Sequence, residues 1–144
     1  MPPREMVEMI VLAPLLSGKE AKPEFINAVA AKADKVILLQ IVDRDFMNKT
    51  SAAMGEVMHY SSVMRDAKKA IGAKKKSCDE ITEWGGTVQK ILSIALLQKV
   101  DKVALVSQRN KFFDEVLEGL RSNKIEYELI DVPDEVPERK KKIF

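Results

Sequence analysis

Residues 6–13, Met-Val-Glu-Met-Ile-Val-Leu-Ala, form the first apolar run, rich in aliphatic side chains and closed by Pro14, which has no N–H for a strand ladder. A buried strand is expected there. Ser17-Gly18-Lys19 marks a turn, and Phe25, Ile26, Val29, Ala30 and Ala33 then recur at helical spacing, with Pro23 suited to a first helical turn. A second strand is expected over 35–43, where a near-continuous aliphatic run ends on Asp43. That composition fits a strand covered on both faces. The resulting βαβ unit implies a parallel pair.

From Ser51 the pattern lengthens. Val57, Met64, Ile71 and Cys78 fall seven residues apart, with Tyr60, Ala67, Ile81 and Val88 on a neighbouring row and Lys74 and Gly85 interrupting. A single helix over 51–84 would be about 51 Å long, more than a domain of this size is wide. Such a helix either bends, at Gly72 and the Lys74-Lys75-Lys76 run, or projects and pairs with another subunit. Gly85-Gly86 ends it. Val88, Ile91, Leu92, Ala95 and Leu96 define a further helix, 102–107 a strand, Phe112, Phe113, Val116, Leu117 and Leu120 another helix, and 125–132 a last strand whose alternation marks a half-exposed edge. Together these predict a three-layer α/β sandwich with a mostly parallel sheet of four or five strands, in one domain over 1–133. The segment 134–144, with Arg139-Lys140-Lys141-Lys142, reads as a flexible or partner-bound basic tail.

Composition narrows the function classes. At 144 residues, with 46% hydrophobic and 32% charged, the chain has material for one globular core and no second full domain. The single cysteine, Cys78, excludes an intramolecular disulfide and cannot build a zinc site by itself. A net charge of +2 gives no bulk electrostatic reason for a nucleic-acid partner. No apolar run approaches the ~20 residues of a membrane span and no secretory leader is recognisable, so a cytoplasmic protein is expected.

The order of these segments, with Ala13-Pro14 closing the first strand, 33–43 as the second, and Gly86-Thr87-Val88-Gln89-Lys90-Ile91-Leu92 leading into 100–106, resembles the universal stress protein family over residues 7–133. The resemblance implies an α/β fold of adenine-nucleotide-binding ancestry, a homodimer paired through its last strand, and a regulatory or stress-response role without chemical turnover. The motifs of the family's nucleotide-binding branch are absent. Leu15-Leu16-Ser17 stands where that branch has an acidic residue after the proline, and 107–114 has no glycine where that branch has a phosphate-cradling glycine motif. Phe112-Phe113 also leaves little room for a phosphate there. The resemblance is therefore to the branch without the ATP-binding glycines, with no cofactor expected although ATP binding stays open. The family's third strand would fall on 73–83, where Lys74, Lys75, Lys76, Asp79, Glu80 and Glu83 make a poor buried strand, so its presence stays open and the sheet has four strands without it, five with it.

Candidate chemistry is sparse. Ala13 to Glu20 imitates a phosphate-binding loop only through Gly18-Lys19, with Ala13 in place of its opening glycine and Glu20 in place of its magnesium-binding hydroxyl. His59, the only histidine, has no metal-ligating neighbour at helical spacing, and Cys78 reads as a packing residue. No catalytic set can be assembled and no metal site is expected. Ligands of open parallel sheets bind beyond the strand C-termini, where strand order reverses. This selects Pro14, Ser17, Asp43, Ser107, Gln108, Arg109 and Asn110 as candidate binding residues, with Arg109 able to grip an anion. The expected function is a non-enzymatic homodimeric regulator that acts through an unknown protein partner. The alternative is a nucleotide- or small-anion-binding sensor with a modified pocket. Lys68, Lys69 and the 74–76 lysines are interleaved with acids and read as a solvated face, and Trp84 suits either core or interface.

Overall fold

The computed structural model describes residues 8–43 and 53–133. The element order is β1 (Ile10–Pro14), α1 (Pro23–Lys32), β2 (Lys35–Val42), α2 (Ala53–Ala73), β3 (Ser77–Trp84), α3 (Thr87–Leu97), β4 (Lys102–Val106), α4 (Lys111–Ser122) and β5 (Tyr127–Ile130). All strand pairs are parallel, in the order β3-β2-β1-β4-β5. The expected beginning of the first strand at Met6 and Val7, and the 134–144 tail, lie outside the described residues.

The sheet is covered on both faces, which makes three layers. On one face Val11, Ala13, Val36, Leu38, Ala104 and Val106 meet Phe25, Ile26 and Val29 of α1 and Val63, Met64, Ala67 and Ile71 of α2. On the other, Leu12, Ile37, Leu39, Val103 and Leu105 meet Ile91 and Ile94 of α3 and Phe113, Val116, Leu117 and Leu120 of α4. Successive residues of a strand point to opposite faces, so the central strands need apolar residues at nearly every position. Gly119 lets α4 approach α3 closely, since a Cβ there would lie 3.0 Å from Val88 Cγ1.

The expected helix over 51–84 is not one helix. α2 ends at Ala73, the Lys74 and Lys76 N–H groups return to the Ile71 carbonyl, and Lys75 takes φ 63° to reverse the chain. The family's third strand is present as β3, so of the four or five strands expected the sheet has five. Its charges fit because β3 is an edge strand, not a buried one. Lys35 pairs with Asp79 at 3.1 Å, Lys68 with Glu80 at 3.5 Å and Lys90 with Glu83 at 3.3 Å. Only Cys78 and Ile81 pack inward, one against each core face. Charged side chains on such an edge also discourage pairing with further strands.

β5 is the other edge and is short, four residues with Leu129 exposed. Lys102 donates to Glu128 at 2.8 Å and Lys32 lies 3.6 Å away, so the carboxyl of Glu128 is held below its ordinary range, chiefly by the Lys102 hydrogen bond. This ties β5 to β4 and α1.

Candidate functional site

Strand order reverses between β1 and β4, because the chain builds β2 and β3 to one side of β1 and then crosses to β4 and β5 on the other. Loops leaving the C-terminal ends of β1 and β4 diverge at such a point and leave a crevice. A cleft of about 610 Å³ opens there, within the size range of small-molecule sites. It is lined by Ser17 and Lys19 after β1, Val106 through Asn110 at the end of β4, and Asp131, Val132 and Pro133 after β5.

The β1–α1 wall is organised around Glu20. This side chain is fully buried, and its Oε2 accepts from Leu16 N at 3.2 Å, Ser17 N at 3.0 Å and Ser17 Oγ at 2.7 Å, while Oε1 accepts from Gly18 N at 3.0 Å. Ser17 Oγ in turn accepts from Lys19 N at 2.9 Å. Tyr60 of α2 donates to the Leu16 carbonyl at 3.0 Å, and Gly18 has φ +84° with the His59 ring so close that a Cβ would lie 2.8 Å from Nε2. Any side chain at Gly18 therefore meets both backbone strain and the imidazole. Lys19 Nζ reaches across the cleft to the Val132 carbonyl at 3.2 Å.

The β4–α4 wall is self-contained in a different way. Asn110 is the N-cap of α4, its Oδ1 accepting from Phe113 N at 2.7 Å and its Nδ2 donating to Gln108 Oε1 at 3.2 Å. One of the helix's first-turn donors is thereby used internally. The expectation that Phe112-Phe113 crowds this end does not hold. The Phe113 ring turns into the core, Phe112 is half exposed on the helix, and neither lines the cleft.

Of the candidates read from the sequence, Ser17, Ser107, Gln108, Arg109 and Asn110 come together in the cleft. Pro14 and Asp43 do not line it. Pro14 is the last residue of β1, in register with Leu39, and Asp43 lies beyond β2, where its carboxylate accepts from Thr87 Oγ1 at 3.4 Å at the start of α3. Lys19 and Asp131 also line the cleft and Glu20 lies behind Ser17, none of which the switch-point rule selects from the sequence. Ser17 and Glu20 carry the serine-x-x-glutamate spacing of a capping box, a signal that could have identified the internal carboxylate. His59 is exposed and stacks edge-on against Tyr60, with ring centroids 5.6 Å apart. Cys78 sits on β3, where burial pushes its thiol up to about 11, so little thiolate forms near neutrality. Among the described residues no group of three or more His, Cys, Asp or Glu side chains is placed to hold a metal ion, and no helix is long and apolar enough to cross a membrane.

A doubly wound, five-stranded parallel sheet with a cleft at its switch point defines the class. The fold is that of the universal stress proteins. The chain aligns with universal stress protein UspA from Lactobacillus plantarum at TM-score 0.65 and 13% identity, over 85% of this chain and 97% of that one. It aligns with a universal stress protein in complex with cAMP at TM-score 0.61 and 12% identity, over 88% and 98%. A hypothetical protein whose biochemical function was assigned from its structure aligns at TM-score 0.64 and 20% identity, over 89% and 99%. No protein-family model and no curated protein sequence matches the chain.

Proposed function

We propose that this protein is a non-enzymatic, cytoplasmic regulator of universal stress protein type, homodimeric and without tight ATP binding. The observation that carries this reading is the β4–α4 turn. Ser107-Gln108-Arg109-Asn110 crosses it without a glycine, and Asn110 already caps the helix that would otherwise offer its N-terminus to phosphate. A nucleoside triphosphate needs several converging backbone donors, and this turn supplies few. Ser17, Ser107 and Asp131 line the cleft, but no histidine or cysteine does, so its lining holds no serine–histidine or cysteine–histidine pair. The exposed apolar Leu129 on the β5 edge supports dimerisation through that strand.

Titration of the purified protein with ATP tests this reading directly. The expected result is no saturation below about 100 μM, equivalent to a binding free energy weaker than about −5.5 kcal/mol. Saturation in the low micromolar range would refute it.

A second reading is favoured by the Arg109 and Lys19 cations at the cleft: a sensor for a small anion or nucleotide. The cAMP complex of one structural neighbour is compatible with it. On this reading Arg109→Ala weakens ligand binding about tenfold while the unfolding transition stays in place, as expected for loss of one exposed charged contact.

A further inference from the structure

We propose that Glu20 is the specificity-determining residue of the cleft, an internal oxyanion that keeps a preformed oxyanion site closed to ligands. The proposal rests on reading the cleft as a binding site. Three consecutive backbone N–H groups and one hydroxyl, from Leu16, Ser17 and Gly18, converge on the Glu20 carboxylate at 2.7–3.2 Å. Successive N–H groups curled around one point make an anion-binding concavity, which a ligand's carboxylate or phosphate can fill as well as a side chain can. Here the chain's own carboxylate fills it, with no exposure to solvent.

The donors are held by contacts that do not depend on Glu20. Leu15 N bonds the Leu39 carbonyl at 2.9 Å, Tyr60 Oη fixes the Leu16 carbonyl at 3.0 Å, and Lys22 N closes on the Lys19 carbonyl at 3.1 Å. Gly18, at φ +84°, is backed by His59. Removing the carboxylate therefore leaves a shaped, donor-lined hole rather than a collapsed loop. Ser17 belongs to both the nest and the cleft wall, so the two spaces adjoin. With Glu20 in place, a ligand entering the cleft finds these donors already taken. Ligands that depend on an anionic group at the β1–α1 side are excluded in favour of those that bind through the Ser107–Asn110 side alone.

Thermal unfolding of Glu20→Ala in chloride, acetate and inorganic phosphate at matched ionic strength tests this. In chloride the variant melts about 10 °C below the parent protein, because several charge-assisted hydrogen bonds are lost together. Acetate, inorganic phosphate or both then restore a saturable part of that loss. The parent protein and Glu20→Gln, whose sites remain filled, do not respond. Recovery with acetate alone supports a carboxylate site, and recovery with phosphate supports a phosphate site. Should Glu20→Ala not fold in chloride, the fraction refolded in acetate or phosphate relative to chloride gives the same answer. An equal response of Glu20→Ala and the parent protein to both anions overturns the proposal. Tight ATP binding by the parent protein would instead overturn the functional reading, and leave the recovery experiment standing.

Discussion

Phe113→Ala is expected to lower the unfolding free energy by about 3–5 kcal/mol, while Phe112→Ala one position away changes it by less than about 1 kcal/mol. The two rings lie in the same helical turn, but Phe113 is 1% exposed and Phe112 is 42% exposed. Phe113 shares its cluster with Leu105, Val116, Leu117 and Leu120, so truncation opens a cavity between α4 and the sheet. Phe112 leaves only a partly solvated contact. Urea unfolding of the two variants measures the contrast. Equal losses would mean that both rings pack inward and that the cleft has a different outline, since Phe112 would then compete for the space beside Asn110.

Ile71→Ala is expected to cost about 2–5 kcal/mol and to leave the association state unchanged. Ile71 is fully buried among Val36, Ala67 and their neighbours at the end of α2, and its carbonyl receives the N–H groups that turn the chain into β3. A projecting helix that paired with another subunit would behave differently, losing stability in proportion to dimer dissociation. The assembly mass of the variant at several protein concentrations separates the two, because an interface residue shifts the dimer–monomer equilibrium toward monomer, whereas a core residue lowers stability and leaves that equilibrium as in the parent protein.

The inner strands are the parts of the sheet most plainly readable from residues alone, because their burial is complete. β1, β2 and β4 lie inside the sheet, need apolar side chains toward both layers, and so leave continuous aliphatic runs such as Val36-Ile37-Leu38-Leu39. β3 was illegible for the opposite reason. As an edge strand it accepts Asp79, Glu80 and Glu83 in ion pairs at its margins, and its two inward residues, Cys78 and Ile81, happen to prolong the helical rows of α2. A period of seven carried across the turn at Lys75 looked like one helix, although successive strand residues were pointing to opposite faces.

The site was legible in outline because the switch-point rule depends only on strand order. It places Ser17 and 107–110 on the cleft wall, and it selects Asp43 too broadly, since that residue follows β2, which is not one of the two strands at the reversal. Pro14 stands just before the loop, but it is the last residue of β1 itself and lies outside the cleft wall. In the sequence Glu20 reads only as a mismatch to a phosphate-binding loop. Its role becomes visible once the backbone of 16–18 is known to curl around it, a geometry that residue identities by themselves do not determine.

Native mass spectrometry of the freshly purified protein, reading the intact assembly and any retained small molecule together, is the most direct test of a dimeric regulator that does not hold ATP. The account predicts an assembly of twice the 16.2 kDa chain mass with no nucleotide adduct. A monomer, or an adduct of nucleoside triphosphate mass surviving purification, would contradict it.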